Sequence, residues 1–274
     1  MLRLIQLELQ KLWLNRTSKV LIFISFILPL FIVLISSFKI PFFGYFTLEL
    51  GEYGLFNFPL IWHLVTFFAS QFKFFFAIVV VSMIGNEYSN KTLKQNLIDG
   101  LSKREFILSK FYTISFFSLV STLIIAIMTL CIGFFYSSYT EFGIVTRDLE
   151  FLVGYFVKLV GFFSLCLFFG MLAKRSAFAL AFLFVLYCLE WIAYGIIWKF
   201  STEELATNIQ NFFPLKSMYK LIDVPFLRIA ATVVPDNKEL IHDYAVHFHE
   251  VAIVLGWTAV FIFLSYRLLK KRDL

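Results

Sequence analysis

The sequence predicts an all-α integral membrane protein: an amphipathic N-terminal elbow helix, six transmembrane helices, a cytoplasmic helix between the second and third, and a membrane-associated outer segment before the sixth. Three observations carry this prediction. Of the 274 residues, 60% are hydrophobic and only 15% charged, and the mean hydropathy is +0.84, outside the range of soluble domains. Apolar runs recur at lengths that cross about 30 Å of hydrocarbon. The basic residues, which give a net charge of +6, gather at the ends of those runs, so they set topology instead of forming a face for nucleic acid.

The chain, 1–274, reads as a single transmembrane domain. Residues 1–17 place Leu2, Ile5, Leu9, Leu12 and Trp13 against Arg3, Gln6, Gln10 and Lys11, the pattern of a helix lying on the bilayer surface. The run at 20–38 is long enough to cross and is followed by no small-residue cleavage site, which argues against a signal peptide. Pro29 should bend it. Further spans fall at 60–84, 106–136, 151–172, 178–198 and 246–268, the longer ones tilting or projecting.

Between the second and third spans lies the polar loop 86–104. Gly85 suits the left-handed end of a helix, Ser89 or Asn90 can cap a short one, and Gly100 can close it. Leu93, Leu97, Ile98 and Leu101 recur near helical spacing, and Ser102 with Glu105 has the spacing of a capping box. The segment 199–245 is too apolar for a plain loop. Its Phe212, Phe213, Pro214, Pro225 and Phe226 are candidates for an outer gate built from re-entrant or interfacial helices, a cap that only packs being the competing reading. Orientation follows from Lys and Arg: with both termini cytoplasmic, fifteen of the 24 fall on inner segments, from Arg3 through Lys91, Lys94, Lys103 and Arg104 to Arg272.

Candidate chemistry is sparse. Cys131, Cys166 and Cys188 all lie in apolar runs without metal-ligand spacing. Gly85 to Thr92 approaches a phosphate-binding loop, but Asn90 replaces the second glycine and a membrane span precedes it, so it is not one. Three histidines cluster at 242–249; only His242 and His249 share a helical face, which makes them weak metal candidates. Lys73, Lys158 and Glu190 fall at one level, about 18–21 Å above the inner ends of their spans. Charges at that depth need a partner or water, and Glu190 is the expected partner of Lys73 or Lys158, as a lock or as lining of a substrate path.

Glu87, Thr92-Leu93, Leu97-Ile98, Ser102-Lys103-Arg104 and Lys110 resemble a pattern in membrane subunits of type-2 ATP-binding-cassette (ABC) transporters. That pattern reads E-x-x-x-G-T-L, an apolar pair, an S-R-like turn and a terminal lysine. Lys91 and Gly100 stand where the family often has Gly and Pro, departures similar to the branch that protects against bacitracin and lantibiotics.

The resemblance implies a permease without an ATPase domain. It would export a hydrophobic or amphipathic lipid, peptide or drug, or extract it from the bacterial plasma (inner) membrane. Two copies of a separate ABC ATPase, which binds ATP and Mg, would grip the loop, and a second permease, identical or homologous, would complete the complex among membrane lipid. No cofactor would sit in this chain. Leu93, Leu97 and Ile98 would be the apolar insertion into the ATPase, and Glu87, Thr92, Lys94 and Arg104 its polar surround. A membrane-embedded metal hydrolase or acyl transferase using the outer histidines is the rival from another class. An ATP-driven scaffold that moves no solute is a further one.

Overall fold

The computed structural model describes residues 2–36, 40–42, 46–48, 54–226, 228–229 and 243–272. Its architecture is the predicted all-α membrane fold. Helix α1 (Leu2–Leu14) turns at Asn15 into α2 (Arg16–Ser36), which contains Pro29. The turn forms because the Asn15 carboxamide oxygen accepts the amides of Thr17 and Ser18 at 3.0 and 3.4 Å, satisfying two of the orphan donors of α2. A two-stranded antiparallel hairpin follows, β1 (Ile40–Phe42) with β2 (Phe46–Leu48), pairing Ile40 with Leu48. The all-helical reading did not include it.

Helix α3 (Leu60–Gln71) and α4 (Lys73–Ser89) meet at 42° and together have the length and composition of one bent span. After α5 (Thr92–Ile98) comes α6 (Lys103–Tyr136), at 34 residues about 51 Å long and therefore projecting beyond the hydrocarbon. The short α7 (Phe142–Val145) leads to α8 (Glu150–Ala173), a left-handed turn at Lys174 and α9 (Ser176–Phe200). Helices α10 (Glu203–Gln210) and α11 (Pro214–Lys220) precede α12 (Phe248–Lys270). Among the described residues five helices are individually long and apolar enough to cross a membrane, six if the bent pair α3–α4 is counted as one span.

Helix α8 is the most enclosed span and α9 the least. α8 packs against α12, α4, α6 and α9, so it is the axis of the bundle. Small residues permit that closeness. A Cβ on Gly161 would lie 2.7 Å from Val254 Cγ1 of α12, a clash with a short branched side chain that has nowhere to move.

Gly85 corrects the expected end of the second span. It sits inside α4, which continues to Ser89, and its missing Cβ lets α4 approach the start of α9, where a methyl would come within 3.2 Å of Ser176 N. The fold thus has two polar ends. One gathers α1, α5, the end of α4 and the start of α6; the other gathers α7, α10 and α11.

Candidate functional site

At the α5 end the chain folds around a buried ion cluster. Lys91 reverses the backbone after α4 with φ of 57°, Gly100 leaves α5 with φ of 97°, and Ser102 opens α6 through a reciprocal capping box with Glu105. This brings Glu87, four residues from the tip of the turn, over the first turns of α6. Its carboxylate accepts from Lys110 Nζ at 2.7 Å and Lys11 Nζ at 3.0 Å, and from Asn96 Nδ2 and Thr92 Oγ1 of α5 at 3.3 and 3.4 Å. Lys110 also pairs with Glu8, and Lys11 with Glu8 at 3.4 Å.

Lys110 is 0% exposed, Glu87 4% and Glu8 5%, so this is an interior network. Removing an ion from water costs several kcal/mol unless the geometry is good and charge is balanced. Two carboxylates and two ammoniums meet both conditions. Part-burial of Lys11 disfavours its charge, but Glu8 and Glu87 beside it outweigh that and hold its pKa above the ordinary 10.5. The cluster ties α1, α4, α5 and α6 into one unit. A second tie lies alongside, where Arg272 donates to Tyr88 Oη at 2.6 Å and to Met171 O at 2.7 Å, and Lys103 Nζ donates to Arg272 O at 2.9 Å.

The structure sorts the residues expected to grip an ATPase into two groups. Leu93 is 2% exposed, Leu97 is half-buried against the core, and Glu87 and Thr92 belong to the interior cluster. Within this chain they point inward, because the apolar stripe of so short a helix is used to hold it against the bundle. Outward on α5 stand Lys94 and Ile98, the latter 74% exposed, with Arg104 exposed on the first turn of α6. Glu8 and the inward role of Lys110 were not legible from spacing.

Inside the bundle the expected pairing is replaced. Glu190 accepts from the backbone amides of Leu215 and Lys216 at 2.8 and 3.1 Å, capping the first turn of α11 where Pro214 occupies the first helical position. Among the described residues it joins neither lysine. Lys158, fully buried, directs its ammonium to Tyr219 O at 3.4 Å, near the C-terminal end of α11. Among the described residues Lys73 meets two ring faces, Phe162 at 4.9 Å and Phe74 at 5.7 Å, and no carboxylate. Cation–π contacts contribute about 0.5–2 kcal/mol each, less than the several kcal/mol of desolvating an ammonium. Lys73 is therefore under-compensated. The sequence showed the three charges but not that α11 folds back between Glu190 and Lys158.

At the far end the gate candidates split likewise. Phe212 is exposed and its carbonyl accepts from Trp257 Nε1 at 2.8 Å; Phe213 caps α11; Pro225 is buried; and the exposed Phe226 meets Phe67 edge to face. His249 is exposed, His242 lies outside the described residues, and no group of three or more His, Cys, Asp or Glu among the described residues could hold a metal. His63, which the sequence reading passed over, is wholly buried, stacked on Phe151 at 4.3 Å, with Nε2 2.8 Å from Asp223 O. Arg228, ion-paired to Asp148, approaches its Nδ1 at 3.5 Å. This network staples α3 to the segment after α11. Burial pushes the Asp223 carboxyl above its ordinary range, and neighbouring Glu250 adds to that, against Lys216, Lys220 and Lys158.

A search among curated proteins finds no match. The family model described as ABC-2 family transporter protein matches residues 14–274, nearly the whole chain.

Proposed function

Since the chain belongs to the ABC-2 family of transporter proteins, a multi-pass permease subunit, we propose that it passes force from a separate ABC ATPase into its spans through the outward face of α5. One observation carries the reading: a two-turn helix hung between two spans, anchored beneath by a charge-balanced buried cluster and presenting Lys94 and Ile98 outward, beside Arg104 at the start of α6. A helix with that anchorage cannot tilt without moving α1, α4 and α6 together. Nucleotide-driven closure of an ATPase pair would then switch access in the bundle.

In this reading the α5 end and both termini are cytoplasmic, in agreement with the Lys and Arg distribution. Two ATPase copies and a second permease, identical or homologous, complete the complex in a bacterial plasma membrane. The cargo is a hydrophobic or amphipathic molecule exported or extracted from the bilayer, and the self-protection branch against bacitracin and lantibiotics fits the departures at Lys91 and Gly100. ATP and Mg belong to the partner. The test is assembly and ATPase stimulation of the co-expressed complex. Ile98→Asp with Lys94→Glu is expected to lower stimulation about tenfold or more, as loss of one interface anchor does, while the permease still folds. Unchanged stimulation would remove α5 from the coupling route.

A further inference from the structure

Lys73 stands at the junction of two half-helices, where α3 ends at Gln71 and α4 begins. At 1.5 Å per residue it lies about 20 Å of helix from Leu60 and about 24 Å from Ser89. A lysine side chain reaches neither end of such a span, so snorkelling does not explain it. Among the described residues no carboxylate pairs with it. Glu190, the acid expected at the same level, is committed to the amides of α11.

Beside Lys73 runs a crevice between α2, α4, α6 and α8. Its polar wall is Lys73, Ser25 and the pair Ser121 Oγ and Tyr155 Oη, 3.0 Å apart; its apolar wall includes Phe76 and Phe163. The free volume is about 20 Å³, room for one water-sized group. The Ser25 hydroxyl donates to Leu21 O at 2.7 Å, and one of Ser121 and Tyr155 donates to the other. An intramembrane cation, one hydroxyl left to donate, no acid and a phenyl-lined wall therefore define the chemistry of an occupant. It has an anionic tip, which the ammonium and the free hydroxyl of the Ser121–Tyr155 pair hold, and an apolar body, which stays among the rings and the bilayer. A free hydrated anion would lose water without apolar compensation. A zwitterion's amine would find no acid in the crevice.

We propose that Lys73 anchors a binding site for anionic amphiphiles, the phosphate or carboxylate oxygen of the ligand entering the crevice at the α3–α4 break. The inference rests on the permease reading only in making this amphiphile a cargo; the binding stands without it.

The permease alone, in phosphatidylcholine nanodiscs, is titrated with phosphatidylglycerol, with oleate and with inorganic phosphate, and binding is read by native mass spectrometry. Either anionic probe binding, with inorganic phosphate silent, supports the site and says which head group it takes. Lys73→Met is expected to weaken that binding about tenfold or more, and Lys73→Arg to retain it, as loss or conservation of a charge-assisted hydrogen bond requires. Should Lys73→Met fail to fold, Ser121→Ala with Tyr155→Phe carries the test through a loss of several-fold. Phosphatidylglycerol and oleate both silent, or affinity unchanged in these variants, overturns the site. Such failure with intact ATPase stimulation in the full complex leaves the permease reading standing, whereas intact binding without stimulation contradicts only the coupling.

Discussion

Glu87 joins more elements than any other charged side chain at the α5 end, taking Lys11 from α1, Lys110 from α6, and Thr92 and Asn96 from α5. Breaking a buried pair from one side strands the other charge, so Glu87→Gln should destabilise by about 3–5 kcal/mol and Lys110→Met by a similar amount. The double variant should recover part of the loss, because no charge is left without its opposite; denaturant unfolding in detergent reads the coupling, and additive losses would deny it. Lys11 adds a pH signature. Its folded pKa is raised, so the stability it contributes is full below the unfolded value of 10.5 and is lost as pH rises through the higher folded value. Thermal melts of wild type should therefore fall faster than those of Lys11→Met on the alkaline side of pH 10.5. Parallel curves would mean that Lys11 is merely solvated. Glu87 and Lys110 were visible in the sequence as motif positions, but the pairing of Lys110 with Glu8 was not: a contact spanning 102 residues leaves no periodic trace.

Elements were legible where their signals are local. The capping box at Ser102 and the left-handed Gly100 follow from side-chain chemistry within four residues. The break between α3 and α4 was not legible, since Gln71-Phe72-Lys73 holds neither proline nor glycine; there the Phe72 amide turns to Ala69 O, as in a tighter helical turn. Gly85 misled for a related reason. A glycine that ends a helix and one that admits a neighbouring backbone look alike in sequence, and here the approach of Ser176 decides. The same logic at Gly161 gives a prediction for helix packing. Gly161→Val would wedge α12 from α8 and should destabilise by about 1–3 kcal/mol, whereas substitution at Gly256, which has open space around it, should be near neutral. Denaturant midpoints of the two variants compare them directly, and equal midpoints would show that the α8–α12 contact is loose.

On the scale of the whole molecule, composition and hydropathy were enough for the fold class, because a bilayer leaves few ways to satisfy a backbone. They could not say which polar groups turn inward. Four of the residues expected to meet an ATPase, Glu87, Thr92, Leu93 and Leu97, turn inward in this chain, and the acid expected in an intramembrane ion pair caps α11 instead. The resulting account is of a lever: α5 held from beneath by the Glu87 cluster, with α6 carrying its displacement some 50 Å along one continuous helix to the far end. The most direct measurement is cross-linking in a cysteine-free background of the ATPase complex, comparing Ile98→Cys on α5 with Phe142→Cys, equally open to a reagent, at the other end of α6. The account predicts an adduct with the ATPase from position 98 and none from 142. An adduct from 142, or none from 98 in an intact complex, would contradict it.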